Sequence, residues 1–175
     1  MKKMLSLGLL IVALVPFATF GNEKHENSLV RFRGGIGVIP VSNVVVSAAI
    51  PPVTTATPNT VRGVSPAGQI WRIADLHAEV SNDGHIQVRG RGLLFAGGNV
   101  IGTNGGQSVF ATLFCGPAAS ATAFSTNLAG VALDSDGDFT IDDVLSSLPN
   151  TCDTPVLLIR TTGGAHPWFA AGIEE

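Results

Sequence analysis

Apolar and polar positions alternate with a period of two through most of the chain beyond its opening segment, and nowhere there does an apolar pattern recur every 3.6 residues. Period-two alternation is the pattern of a strand with one face in a core and the other in water. "LVRFRGGIGVIPVS", "NVVVSAAI", "VRGVSP", "QIWRIADLHAEV", "HIQVRGRGLLF", "QSVFATLFC", "TAFSTNLAGVAL", "DFTIDDVL", "PVLLIRTT" and "HPWFAAGI" read as strands. Between them lie clusters of Gly, Asn, Asp and Pro, the residues of turns. "PPVTTATPNT", positions 51–60, reads as an extended loop, because proline keeps it out of a helix. The expectation is a single all-β domain of about eight to ten strands: an antiparallel β-sandwich with Greek-key connections, immunoglobulin-like or jelly-roll, or alternatively a small β-barrel.

The clearest local unit is "ADLHAEVSNDGHIQVRGRG". A three-residue loop, Asn82-Asp83-Gly84 with Gly84 at positive φ, opposes Val80 to Ile86, Ala78 to Val88 and Leu76 to Gly90, so one face is apolar throughout. The other face collects Asp75, His77, Glu79, Gln87, Arg89 and Arg91, with Asp75 opposite Arg91 and His77 opposite Arg89. "LDSDGDFTI" repeats the pattern of "VSNDGHIQV", which predicts a second hairpin. Its loop is Ser135-Asp136-Gly137, with Asp134 opposite Asp138, Leu133 opposite Phe139 and Val131 opposite Ile141.

That second unit, "LDSDGDFTIDD", also carries the one metal candidate. Asp134, Asp136 and Asp138 stand at the first, third and fifth positions of a calcium loop, but Phe139 occupies the place of the turn glycine and Leu145 that of the bidentate glutamate. An EF-hand is excluded on those two positions. A weakly bound calcium on Asp134, Asp136 and Asp138, with Asp142 or Asp143 beside them, remains as an expectation, because two carboxylates facing each other across a strand pair repel. The rival reading is a solvated turn in which water screens the charges. No other cofactor is expected.

Charge and the N-terminus decide compartment and exclude some partners. "MKKMLSLGLLIVALVPFATF" has two lysines and then an uncharged apolar run interrupted by Gly8 and Pro16, the build of an export signal and a poor spanning helix. Residues 1–21 are expected to be a signal peptide cleaved after Gly21, sending the protein to the periplasm or the medium, with no transmembrane segment in what remains. The domain then comprises 22–62, strands and the Pro/Thr-rich loop, and 63–175, the β core. Without Lys2 and Lys3 there are 8 basic residues against 13 acidic, a net charge of −5, which excludes a nucleic-acid partner. In an oxidising compartment the two cysteines, Cys115 and Cys152, read as one disulfide.

No catalytic set emerges. His25, His77, His85 and His166 are scattered, and His77, opposite Arg89, reads as a surface residue. Ser65 and Ser108 lack the glycine spacing of a nucleophile elbow. Asp75 and Glu79 lie in the open near arginines, whereas glycoside hydrolysis wants converging carboxylates, one of them desolvated. "AGGNVIGTNGG" has no lysine or helix start after it, so it reads as a turning loop rather than a phosphate cradle.

From Gly63 onward, "RGRGLLFAGG", "GTNGGQSVFATLFC", "GDFTI", "LPNTC", "PVLLI" and "WFAAG", in that order, resemble a group of exported bacterial all-β proteins without assigned function. The resemblance implies a compact β domain with Cys115 bridged to Cys152 and brings no catalytic or binding residue with it; residues 22–62 fall outside it. The functional expectation is a non-catalytic binding or structural protein at or outside the cell envelope. The alternatives are a secreted hydrolase acting on a glycan or an ester, and a calcium-stiffened extracellular module.

Overall fold

A computed structural model describes residues 27–175; the expected signal peptide lies outside them. Among the described residues there is no helix, and none long and apolar enough to cross a membrane. Thirteen strands follow in order: β1 (Ser28–Gly37), β2 (Val41–Val46), β3 (Thr54–Pro58), β4 (Trp71–Arg72), β5 (Asp75–Ser81), β6 (His85–Arg91) and β7 (Leu94–Phe95). They continue with β8 (Ser108–Cys115), β9 (Thr122–Ser125), β10 (Val131–Ala132), β11 (Phe139–Val144), β12 (Val156–Thr161) and β13 (Trp168–Glu174).

Nine of these form one antiparallel sheet, ordered β10-β8-β12-β13-β1-β5-β6-β11, with β9 also paired to β8. The all-β antiparallel class is therefore as expected, and the sheet takes the form of a half-barrel curled around its core. The inward faces of β5, β6 and β11 supply Leu76, Val80, Ile86, Val88, Phe139 and Ile141, which meet Leu113, Leu157 and Ile159 from β8 and β12. β8 is buried along nearly its whole length. Its outward Phe110 is covered by the Arg160 guanidinium, 5.2 Å from the ring centroid, and by the edge-on ring of His166. Burial lowers the Arg160 pKa from its ordinary value by desolvation. The guanidinium keeps its Nε–H bonded to the His166 carbonyl at 2.8 Å. At one side of the core Trp71 stacks on Phe169, with centroids 4.0 Å apart, and meets Phe95 at a tilt, with centroids 4.1 Å apart.

The β5–β6 hairpin has the expected register, with Val80 opposite Ile86, Ala78 opposite Val88, Leu76 opposite Gly90 and Gly84 at φ 84°. The cysteines are joined, Cys115 at the end of β8 and Cys152 just before β12. Several local expectations need correction. "VRGVSP" makes only isolated bridges, such as Val61 to Val64, and "QIWRIADLHAEV" and "HIQVRGRGLLF" each divide in two, into β4 and β5 and into β6 and β7. Positions 51–60 are not a plain loop: Thr54–Pro58 is a strand paired with β2, Val46 opposite Thr54 and Val44 opposite Ala56. Proline removes a donor, but Pro51 and Pro52 lie in the connection and Pro58 at the strand's end, positions a two-stranded ribbon tolerates. "TAFSTNLAGVAL" breaks into β9 and β10 around a turn closed by the Gly130 N–H on the Asn127 carbonyl.

A further correction concerns "LDSDGDFTI". Its turn forms as expected, with the Asp134 N–H on the Asp138 carbonyl at 2.9 Å and the Gly137 N–H on the Asp134 carbonyl at 2.8 Å. The flanking strands then part, β10 to β8 and β11 to β6, so the Leu133–Phe139 and Val131–Ile141 pairs do not form. Beyond its one turn a hairpin offers only its own ladder. β11 instead takes six residue pairings along the open edge of β6 and lays Phe139 over the bare backbone of Gly90. The turn thus links the two ends of the curled sheet.

Candidate functional site

A groove of about 710 Å³ bearing titratable groups lies between the outer face of the β5–β6 hairpin and this turn. Alternation places Asp75, His77, Arg89 and Arg91 on that outer face, and Thr140 continues it on β11. Asp134 and Asp138 form the far rim with Val131 and Ala132. Cross-strand neighbours are as the hairpin register requires, Asp75 opposite Arg91 and His77 opposite Arg89. A polar contact runs along one strand instead, from His77 Nε2 to Asp75 Oδ2 at 3.1 Å. Asp75 and His77 lie two apart, so strand geometry puts them on the same face.

The structure gives three of the five aspartates of 133–143 separate partners. The Asp138 Oδ1 accepts the Gly92 N–H at 2.9 Å, which fastens the turn to the end of β6. Asp142 accepts from Gln87 Nε2 at 3.3 Å and lies 2.7 Å from His85 Nε2. Asp143 accepts the Asn127 N–H at 2.7 Å, across to the segment after β9, where the Ser146 N–H also meets the Ser125 carbonyl. Asp134 and Asp136 are exposed. Among the described residues no group of three His, Cys, Asp or Glu side chains is placed to hold a metal ion. Asp134 and Asp138 share the groove rim; Asp136, Asp142 and Asp143 do not line it. The repulsion that motivated a cation is met on the Asp138 side by a backbone amide.

Other long-range partners were invisible to spacing arguments. Arg31 of β1 reaches Glu79 of β5 at 3.0 Å, because β1 lies against β5. The glycine-rich loop 96–106 supplies Asn104, whose side-chain amide donates to the Leu133 and Asp134 carbonyls at 3.0 and 2.7 Å. The loop is a brace for the aspartate turn. His166 covers Phe110, and Ser108 lies at the start of β8. A second, shallower cleft of about 370 Å³ opens beside Trp71, Phe95 and Phe169, with Gln69, Gln107 and Thr161 at its edge.

The other candidate surface is the β2–β3 ribbon. Every residue of both strands is exposed, so neither face of the ribbon is covered by the body of the protein. From position 34 to position 61 there is no charged residue. Alternation puts Val44, Val46 and Ala56 on one face, and Asn43, Thr55 and Thr57 with Val45 on the other. Its connection, "SAAIPPV", positions 47–53, is apolar except for Ser47, and Ile50 is 98% exposed. This surface was missed in the sequence because 51–60 read as a loop. The uncharged run was the signal that could have found it.

No family model matches the chain, and neither a curated protein nor a solved structure does.

Proposed function

We propose that the protein is an exported, non-catalytic binding or structural module that works at or outside the cell envelope. The observation that carries this reading is the β2–β3 ribbon, a projecting surface rich in valine and without charge in a chain where 13% of residues are charged. Exposed contiguous apolar surface marks a place of interaction. An isolated two-stranded ribbon is also marginal in water, so a partner would stabilise it. The disulfide supports an extracytoplasmic setting. In the test, purified full chain is mixed with envelope fractions of the producing cells, beside a variant with Val44, Val46, Ile50 and Val53 replaced by threonine. Retention of the parent and loss of the variant is expected. Equal retention of both, or none of either, would end the reading.

The polar groove favours one second reading, a hydrolase acting on a glycan or an ester. Asp75, Asp134 and Asp138 would be its carboxylates and His77 its nearest base. Against it, Asp138 already holds the Gly92 amide, and Asp134 is exposed rather than desolvated. Turnover of chromogenic glycosides or esters, lost in Asp75→Asn, would establish the hydrolase and displace the binding module.

A further inference from the structure

Resting on that reading, we infer that the partner of the ribbon is a lipid surface, into which the connection between β2 and β3 inserts shallowly, with Ile50 leading. Three observations converge. The first is composition. Ala48, Ala49, Ile50, Pro51, Pro52 and Val53 form an unbroken apolar tip, and the nearest charged residues in sequence are Arg33 and Arg62, beyond the base of the ribbon. A charge at the tip would have to be desolvated on insertion, and there is none.

The second is backbone bonding at the tip, which matters because lipid offers no partner to a free N–H. Pro51 and Pro52 have no N–H. The Ser47 N–H bonds the Val53 carbonyl at 2.8 Å, while the Ser47 hydroxyl oxygen accepts the N–H groups of Val53 at 3.0 Å and Ala49 at 3.4 Å. Only Ala48 and Ile50 keep an N–H for solvent. A tip that pairs with protein would keep donors for a strand partner; this one has disposed of most of them. At a depth of about 5–10 Å its carbonyls stay near the hydrated boundary.

The third is size. Six-residue β2 rises about 20 Å, short of the roughly nine to eleven residues with which a strand spans a bilayer, so the ribbon inserts without crossing. Two paired strands about 20 Å long and about 5 Å apart present a face of roughly 200 Å², well short of the roughly 800 Å² per partner of a stable protein interface. A second copy of this chain would therefore be held weakly by the ribbon alone, whereas an apolar tip needs only a few buried side chains to partition. The acidic body and uncharged tip fit a neutral membrane rather than an anionic one.

Flotation of the full chain with phosphatidylcholine vesicles tests the inference, beside Ile50→Asp and Val144→Asp, the latter on exposed Val144 at the outer edge of β11. The parent and Val144→Asp should float alike, and Ile50→Asp should partition about tenfold or more weakly. Thermal melts of all three should coincide, since both substituted side chains are solvent-exposed. A parent that does not float, an Ile50→Asp protein that floats as well as the parent, or an Ile50-dependent dimer in place of flotation would each overturn the lipid assignment. Ribbon-dependent retention on envelope material without flotation would overturn the lipid partner while leaving the binding reading in place. Flotation with no such retention would keep the lipid-binding tip and end the envelope setting of the proposed function.

Discussion

Removing the Cys115–Cys152 bridge should lower the melting temperature by roughly 8–16 °C. The two residues are 37 apart in sequence. Closing a loop of that length removes unfolded-state entropy worth about 4 kcal/mol at room temperature. In the folded state the ends are held together regardless. Val156 pairs with Phe114, the Gly116 N–H donates to the Asp153 carbonyl at 2.6 Å, and the Thr154 hydroxyl donates to the Gly116 carbonyl at 2.8 Å. The native loop therefore keeps its shape without the bridge, and the loss falls on the unfolded ensemble. A domain of this size changes its melting temperature by about 2–4 °C per kcal/mol, which gives the range above. The assay is a circular-dichroism or calorimetric melt of the parent, of Cys115→Ala/Cys152→Ala, and of the parent in reductant. The closed loop holds β9, β10, the aspartate turn and β11, so amide exchange should rise first at the β6–β11 edge. A fall of less than about 3 °C in the double variant would refute the loop-entropy reasoning.

Asp138→Ala should cost about 1–2 kcal/mol by releasing the Gly92 amide, with Asp138→Asn intermediate, as read from urea unfolding midpoints. Millimolar calcium should produce no heat in calorimetry with the parent, because Asp138, Asp142 and Asp143 are each directed to a separate partner; saturable heat abolished by Asp136→Ala would restore the calcium site. Gly90→Ala should destabilise by about 1–3 kcal/mol, since a Cβ there overlaps the Phe139 ring, and a melt unchanged from the parent would refute that packing. Arg160→Ala should cost about 1.5–3 kcal/mol through the lost bond to the His166 carbonyl, and Arg160→Lys should recover only part of it, as unfolding midpoints would show.

The sequence by itself determined the class of the fold and its local turns. Period-two alternation has one geometric cause, and Asn82-Asp83-Gly84 leaves one register that keeps Leu76, Ala78 and Val80 on a single face, so the β5–β6 hairpin was legible residue by residue. Ser135-Asp136-Gly137 was equally legible as a turn, because turn chemistry is local to a few residues. Which edge each departing strand would join was not. β10 goes to β8 and β11 to β6 because those edges lie open in the assembled sheet, a fact no window of sequence contains. The same holds for the candidate sites. Asp134, Asp136 and Asp138 alternate as ligands would, and only the tertiary structure turns Asp138 to Gly92 and brings Asn104 onto the turn. The ribbon shows the limit most plainly. Its valines look like any core strand, since alternation says that a residue faces something apolar, never whether the rest of the chain is there to cover it; in β2 and β3 it is not.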